Sequence, residues 1–144
     1  MKFEDENYNE FYGQLRGAPN SVGISQKYST CYVLTSDYLY EIDCHNPAKY
    51  TVQDFWDCGH NLKNSTVTPN GDPIFSDDYT IFVIGSSFEQ QTKLNPPLPL
   101  DMIQFKHWDN HLLHLSCEEL IVGTAVELVL DADMMKIRFK RDDE

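Results

Sequence analysis

Three of the five histidines lie in the segment FKHWDNHLLHL, residues 105 to 115, where their imidazole nitrogens could bind a metal ion. They are His107, His111 and His114, and Cys117 follows shortly after them. If the segment is helical, a rise of ~1.5 Å per residue separates His107 from His114 by about 10 Å along the axis. A zinc ion binds nitrogen at ~2.0 to 2.1 Å, so the three histidines could not all share one ion. We therefore expect histidines that border the core, and no metal.

If the segment is a strand, His107 and His111 share one face and His114 lies on the other, which again separates the three rings. Other signatures of catalysis are also absent from the sequence. Trp108 stands where a HExxH metalloprotease has its catalytic Glu. The chain also lacks CxxC, GxSxG, P-loop and GxGxxG motifs. We expect no enzyme and no cofactor, and a metal-dependent hydrolase that uses His107, His111 and His114 remains an alternative.

The length and the composition predict one domain. A chain of 144 residues can bury a core large enough to fold without disulfides, and we expect its four cysteines to be free thiols. The start, MKFEDENYNEF, lacks the basic and apolar segments of a signal peptide. No apolar run approaches the ~20 residues that span a bilayer. A cytoplasmic location is therefore expected.

The net charge of -12, from 23 acids and 11 bases, is the outlying property of the sequence. Four bases gather near the C-terminus (Lys136, Arg138, Lys140 and Arg141), so residues 3 to 135 hold 20 acids and only six bases. Such a field repels nucleic acids and anionic membranes, and it speeds the encounter with a basic protein. We expect a basic protein partner, and no nucleic acid, membrane or small-molecule substrate.

The hydrophobic spacing predicts helices and strands in one α+β domain. Apolar residues on one face indicate a helix over residues 3 to 15 and a short helix over residues 51 to 57. Six runs have the composition of strands: VGISQKY, CYVLTS, YLYEID, YTIFVIG, AVELVLD and MKIRFKR. The run YTIFVIG is the most apolar and is expected to be a central strand. The last two runs alternate cleanly and predict a hairpin with Lys136, Arg138 and Lys140 facing outward.

The remaining segments are predicted to be connections. Residues 61 to 73 have the composition of a long loop with a turn at residues 69 to 72. The prolines of NPPLPLD, residues 95 to 101, impose an extended connection. The expected fold is therefore mainly an antiparallel β-sheet, with an N-terminal helix and one or two short helices packed on one side. No internal repeat is evident in the sequence.

The expected binding surface follows from the acids and the tyrosines near them. A helix over residues 51 to 57 would place Tyr50, Asp54 and Asp57 on its exposed face. Other acids and a tyrosine stand at the head of the central strand and before the last hairpin. The residues expected to contact the partner are Tyr50, Asp54, Asp57, Asp77, Asp78, Tyr79, Glu118 and Glu119. Carboxylates backed by aromatic rings can occupy a site that grips phosphates.

In size, charge, class and this exposed Tyr and Asp surface, the chain resembles the small acidic immunity proteins with which bacteria neutralise nuclease toxins. The resemblance implies a cytoplasmic inhibitor that binds its cognate toxin and has no activity alone. A nucleic-acid mimic that blocks a DNA-binding system is the alternative from the same charge. It requires acids in rows at the spacing of phosphates.

Overall fold

A computed structural model describes the backbone of residues 2–4, 10–12, 19–58 and 61–144, and the side chains of residues 21–56 and 61–144. These residues form strands β1 (Lys2–Glu4), β2 (Glu10–Tyr12), β3 (Pro19–Ser25), β4 (Thr30–Thr35), β5 (Tyr38–Asp43), β6 (Tyr50–Asp54), β7 (Asn64–Val67), β8 (Pro73–Ser76), β9 (Ile81–Ile84), β10 (Gln91–Leu94), β11 (Leu100–Asp109), β12 (Leu112–Glu119), β13 (Ala125–Asp131) and β14 (Lys136–Phe139). One helix, α1 (Phe55–Cys58), completes a single turn. Among the described helical residues, no helix is long and apolar enough to cross a membrane.

The described chain forms three successive antiparallel sheets of four strands, so the predicted α+β class is wrong. The first sheet contains β3 to β6, the second β7 to β10 and the third β11 to β14. Each is a meander in which every strand pairs with the next along the chain. The three sheets share this strand order but differ in the lengths of their strands and turns, in keeping with the absence of a repeat in the sequence.

Both predicted helices are contradicted where the structure describes them. In the predicted helix 3 to 15, β1 pairs with β2, with Phe3 opposite Phe11; the rest of that segment lies outside the described residues. In the segment 51 to 57, β6 pairs along β5, and only the last residues turn into α1. Thr51 and Val52 are β-branched and favour strands, and the free edge of β5 gives β6 backbone partners along one side.

Other predictions of local structure are confirmed. The strand β9 lies inside its sheet between β8 and β10, as YTIFVIG predicted. The final hairpin pairs Leu130 with Ile137 on the buried face. The predicted loop 61 to 73 is wrong in part because it contains β7, although its turn forms where Gly71 takes φ 93°. Residues 95–99 form the connection between the second and third sheets.

The first strands of the three sheets lie side by side and run in the same direction. Ser21 and Ser65 join β3 to β7 by a hydrogen bond between their hydroxyls. Further along, a methyl group at Gly23 would lie 3.0 Å from a Val67 methyl, so this glycine allows the two strands to approach closely. The arrangement resembles consecutive blades of a β-propeller, whose four-stranded sheets surround a central axis.

Asn64 and Trp108 join β7 to β11. The amide of Asn64 donates to the carbonyl of Ile103 at 2.7 Å and accepts from the N–H of Phe105 at 3.2 Å. Two residues along, the Trp108 indole donates to the Thr66 hydroxyl at 2.8 Å. Both strands advance in the same direction through these contacts, so the third sheet has the same orientation as the second.

The second sheet is buried on both faces, which explains its short apolar strands. Phe75 and Phe82 face the first sheet and pack with Tyr32. Ile74 and Ile81 face the third sheet and share a core with Leu100, Leu113, Leu128 and their neighbours. A strand covered on both sides needs apolar residues at successive positions rather than at alternate ones. The opposite face of the first sheet carries a smaller cluster of Cys31, Val33, Tyr40 and Ile42.

Candidate functional site

Corresponding turns of the three sheets lie at one end of the molecule, because their first strands run in the same direction. These turns connect β4 to β5, β8 to β9 and β12 to β13, and we call this end the turn end. Backbone hydrogen bonds join its parts. The N–H of Phe55 donates to Asp37 at 3.1 Å, that of Ile103 to Asp78 at 3.4 Å, and that of Leu120 to Pro99 at 3.0 Å.

The turn end is rich in carboxylates. Its described acids are Asp37, Asp54, Asp77, Asp78, Asp101, Glu118 and Glu119. They come from all three sheets, and Asp101 lies directly opposite Glu118 in the β11–β12 pair. Lys63 precedes β7 and Lys93 lies in β10 near this end, and Lys140 and Arg141 follow β14, which also runs toward it. The carboxylates still outnumber the basic side chains at this end.

Exposed apolar side chains stand among these carboxylates. Six of the twelve large hydrophobic residues that are exposed in the described part of the chain lie here: Trp56 at 94%, Ile121 at 83%, Val122 at 78%, Tyr79 at 59%, Met102 at 51% and Leu120 at 47%. Single exposed apolar residues are common, and a group of them at one end of the molecule is a candidate interaction surface. Aromatic anchors within a polar rim are typical of protein interfaces.

The most exposed aliphatic residues lie in a turn that is held firmly in place. The carboxylate of Glu119 accepts the N–H groups of Ile121 at 3.1 Å and of Val122 at 2.6 Å. The N–H of Glu119 donates to Thr124 at 2.9 Å, and Gly123 closes the turn at φ 76°. Ile121 and Val122 are therefore presented to solvent by a fixed backbone, which lowers the entropy lost when a partner covers them.

The turn end includes most of the residues predicted to contact a partner. Asp77, Asp78 and Tyr79 occupy the β8–β9 turn, and Glu118 and Glu119 occupy the end of β12. Asp54 ends β6 at the same end. Tyr50 begins β6 at the opposite end, and the side chain of Asp57 lies outside the described residues. Tyr50 and Asp54 share a face through the two-residue period of a strand, not through the predicted helix.

Three of these carboxylates also stabilise the backbone next to them. An oxygen of Asp77 accepts the N–H groups of Tyr79 at 2.8 Å and Thr80 at 2.7 Å. Asp54 accepts the N–H of Trp56 at 3.0 Å, and Glu119 holds its turn as described. The prediction of a binding role for these acids therefore competes with a structural role. Asp78 and Glu118 have no side-chain hydrogen bond within the described chain and are better choices for testing binding.

The histidine segment is a hairpin, so neither of the two alternatives considered for it, a helix or a single strand, is correct. Asn110, at φ 55°, and His111 form a two-residue turn between β11 and β12. The turn brings His107 opposite His114, and their rings stack nearly in parallel with centroids 4.5 Å apart. Asn110 was the missed signal, because Asn adopts φ > 0 in tight hairpins more readily than most residues. His111 stays in the turn, so the hairpin does not gather the three histidines.

His111 lies near two other possible metal ligands. Ligand atoms of His111, Asp131 and Asp133 lie within 4.8 Å of one another, and His111 Nε2 is 3.9 Å from an oxygen of Asp131. The other oxygen of Asp131 accepts the N–H groups of Asp133 and Met134. His111 and Asp133 are exposed. This grouping is typical of an acidic turn and is not diagnostic of a metal centre.

The described thiols are poorly suited to nucleophilic chemistry. Burial raises the pKa of Cys117 to about 11. Burial, with a smaller effect of Cys44, raises the pKa of Cys31 to about 11. Burial and the charge of Asp43 also raise the pKa of Cys44. Because the thiolate is the nucleophile, these cysteines are protonated at neutral pH and act as packing residues. Cys31, Cys44 and Cys117 are free, as expected.

Several residues of the turn end were missed in the sequence. Trp56 is one of the apolar residues that indicated a helix with one buried face over residues 51 to 57, and it is 94% exposed. The apolar triplet at residues 120 to 122 carries a usable signal, since it precedes Gly123 between two strand patterns. Asp37 and Asp101 become part of the surface only through the side-by-side packing of sheets, which no local pattern reveals.

No protein-family model matches the chain, and no curated protein shows significant sequence similarity to it.

Proposed function

We propose that the protein binds and neutralises a basic protein through its turn end, as an immunity protein does for a nuclease-type toxin. The observation that carries the proposal is the grouping of carboxylates around exposed Trp56, Tyr79, Ile121 and Val122. Acids attract and orient a cationic partner, and apolar anchors supply most of the affinity after contact. The proposed location is the cytoplasm, where such an inhibitor meets a toxin before export.

The basic site of a nuclease suits this surface because it must grip phosphates. Carboxylates of Asp78, Asp101 and Glu118 can take the positions of phosphate oxygens and form charge-assisted hydrogen bonds with Arg and Lys side chains. The fixed β12–β13 turn then contributes Ile121 and Val122 to the dry centre of the interface. The inhibitor needs no chemistry of its own, only a surface that excludes substrate.

The test is coexpression of the protein with the product of the neighbouring reading frame, followed by capture and measurement of affinity. The double variant Asp78→Asn/Glu118→Gln removes two charges from the turn end. It should weaken binding at least tenfold, mainly by slowing association. Trp56→Ala and Ile121→Ala should also weaken binding at least tenfold, but through faster dissociation, because truncation of an anchor costs roughly 2 kcal/mol or more.

The matched control is the double variant Asp109→Asn/Asp133→Asn. It removes the same charge from exposed residues at the opposite end of the third sheet. Binding should change by less than about threefold, through the long-range field alone. Equal losses in the two double variants would refute the turn end as the interface. Failure to capture any basic protein would refute the proposed function itself.

A further inference from the structure

A polar pocket of about 460 Å³ opens at the end of the molecule opposite the turn end. Its walls come from the β3–β4 turn, from β5 and β6 with their connection, and from the β9–β10 turn. Pockets that hold small ligands usually measure roughly 300–1,000 Å³. This pocket therefore has the size of a ligand site, and it lies between the first and second sheets.

The pocket contains the carboxyl group of Glu41, whose charged form is disfavoured by burial. Glu41 lies in β5, half-buried, and burial raises the pKa of its carboxyl group, with a further contribution from the charge of Glu89. Thr51, Gln53 and the backbone of Phe88 offer hydrogen bonds that act in the opposite direction. No basic side chain of the described residues forms an ion pair with Glu41. A half-buried carboxylate without a counter-ion marks a candidate functional site.

A second buried polar group lies next to Glu41. Tyr32 is directly opposite Glu41 in the β4–β5 pair and is 1% exposed. Its hydroxyl lies near the Thr30 side chain but forms no well-aligned hydrogen bond within the described chain. Buried polar groups are almost always hydrogen-bonded, so an unpaired donor beside a carboxylate needs an explanation. Tyr32 itself does not line the adjoining pocket, so the polar group that a ligand can reach is the Glu41 carboxylate.

The rest of the lining favours a cation. Asp43 and Glu89 add two acids, and Lys49 is the one fully cationic side chain among the lining residues. The three acids and the one lysine give the lining an excess of two negative charges. The aromatic rings of Tyr28, Tyr50 and Phe88 also line the walls. Aromatic faces and carboxylates together are the environment that proteins use for guanidinium and ammonium groups.

We propose that this pocket binds a small organic cation, a guanidinium or alkylammonium group, against the carboxylate of Glu41. The site is separate from the turn end and does not depend on the function proposed for that surface. The cation supplies the counter-charge that Glu41 lacks among the described residues. The same group could belong to a free small molecule or to an arginine side chain on another protein.

The experiment is a titration of the protein with ethylguanidinium chloride, followed by NMR shifts of backbone amides around the pocket. We expect saturable shifts near Glu41, Thr51 and Phe88 with a Kd of about 1 to 10 mM, which is ordinary for a single small group. Glu41→Gln should weaken binding at least tenfold. Glu89→Gln should weaken it two- to fivefold, and Asp133→Asn, outside the pocket, should not change it.

Lys49→Met separates a cation site from an anion site. Removal of the lysine charge should tighten ethylguanidinium binding two- to fivefold, whereas a site for anions would lose its ligand. A second arm compares free arginine with the peptide Ala-Arg-Ala. Tighter binding of free arginine supports a small-molecule ligand, and tighter binding of the peptide supports an arginine from a partner. Absence of saturable shifts, or unchanged binding in Glu41→Gln, would overturn the proposal.

Discussion

At the scale of single residues, Glu41 lowers the stability of the fold at neutral pH. Burial raises its pKa, so the folded protein holds this proton at pH values where the unfolded chain has already lost it. The destabilisation is fully present above the raised pKa, and it fades as the pH falls through that value toward the ordinary value of the carboxyl group. A residue kept at such a cost is more readily explained by binding than by folding.

Glu41→Gln should therefore raise the free energy of unfolding at pH 7. The gain should shrink as the pH falls through the raised pKa of Glu41 and should vanish below its ordinary value. Urea unfolding at a series of pH values measures this difference. Asp133→Asn is the control, with a small difference and no such trend. A variant that is less stable than wild type at pH 7 would contradict the prediction. If the gain is found, loss of cation binding in Glu41→Gln cannot be attributed to misfolding.

His114 is another polar side chain that is buried, and it lacks a hydrogen-bond partner within the described residues. It is 6% exposed, and neither ring nitrogen has a hydrogen-bond partner in the described part of the chain. Each unsatisfied buried polar group costs about 1–3 kcal/mol, and an apolar replacement removes that cost. His114→Leu should therefore stabilise the protein by about 1 kcal/mol in urea unfolding. His107→Leu, at the exposed ring of the stack, should change stability by less than about 0.5 kcal/mol.

A destabilised His114→Leu protein would mean that the imidazole has a partner, either an ordered water or a metal ion. Elemental analysis of the purified wild-type protein separates these two. Stoichiometric metal that is lost in His114→Leu would favour the metal-dependent alternative raised by the histidine segment. Stabilisation of the variant would leave His114 as a residue of the sheet face without a ligand role.

At the scale of elements, Asn64 is the main polar link between the second and third sheets. Its amide donates to Ser76 and Ile103 and accepts from the N–H of Phe105, so it satisfies backbone groups where β11 is irregular. Asn64→Ala leaves several partly buried groups unpaired and should cost about 2–4 kcal/mol in unfolding free energy. The exposed amide Asn95 offers a control, and Asn95→Ala should cost less than about 0.5 kcal/mol. Equal effects would contradict the role of Asn64.

How far the sequence predicts these elements depends on where each strand finds its partner. The final hairpin and the strand β9 were predictable, because their apolar patterns report burial directly. The segments 51 to 57 and 105 to 115 were not, because Phe55, Trp56 and Trp108 fit a helical period as well as a strand. Pairing with a neighbouring strand decided between the two. For the turn end, Asp78 and Glu118 were found by charge, but their convergence required the common direction of β3, β7 and β11.

At the scale of the whole molecule, the sheets separate two kinds of surface. Turns at one end present carboxylates and apolar anchors outward, as a surface for a large partner. Connections at the other end enclose Glu41 in a pocket with room for a small group. Both surfaces use the same excess of acids, and the stacked sheets keep them apart. A partner at the turn end and a cation in the pocket can therefore bind together without competing for the same residues.

The net charge of -12 also predicts how salt acts on the free protein. Like charges repel one another in the compact state, and from about 10 mM to about 1 M salt the Debye length falls from ~30 Å to ~3 Å. Sodium chloride should therefore raise the thermal unfolding midpoint of the protein alone, with most of the rise below about 0.2 M, where screening changes fastest. A complex held by opposite charges should weaken over the same interval. Scanning calorimetry on the free protein and titration on the complex measure the two trends, and Asp78→Asn/Glu118→Gln should reduce both slopes. The contrary result is a midpoint that stays constant, or falls, as the salt concentration rises to about 0.2 M. It would show that the acids are already balanced within the fold, and the protein would then have no strong attractive field for a basic partner.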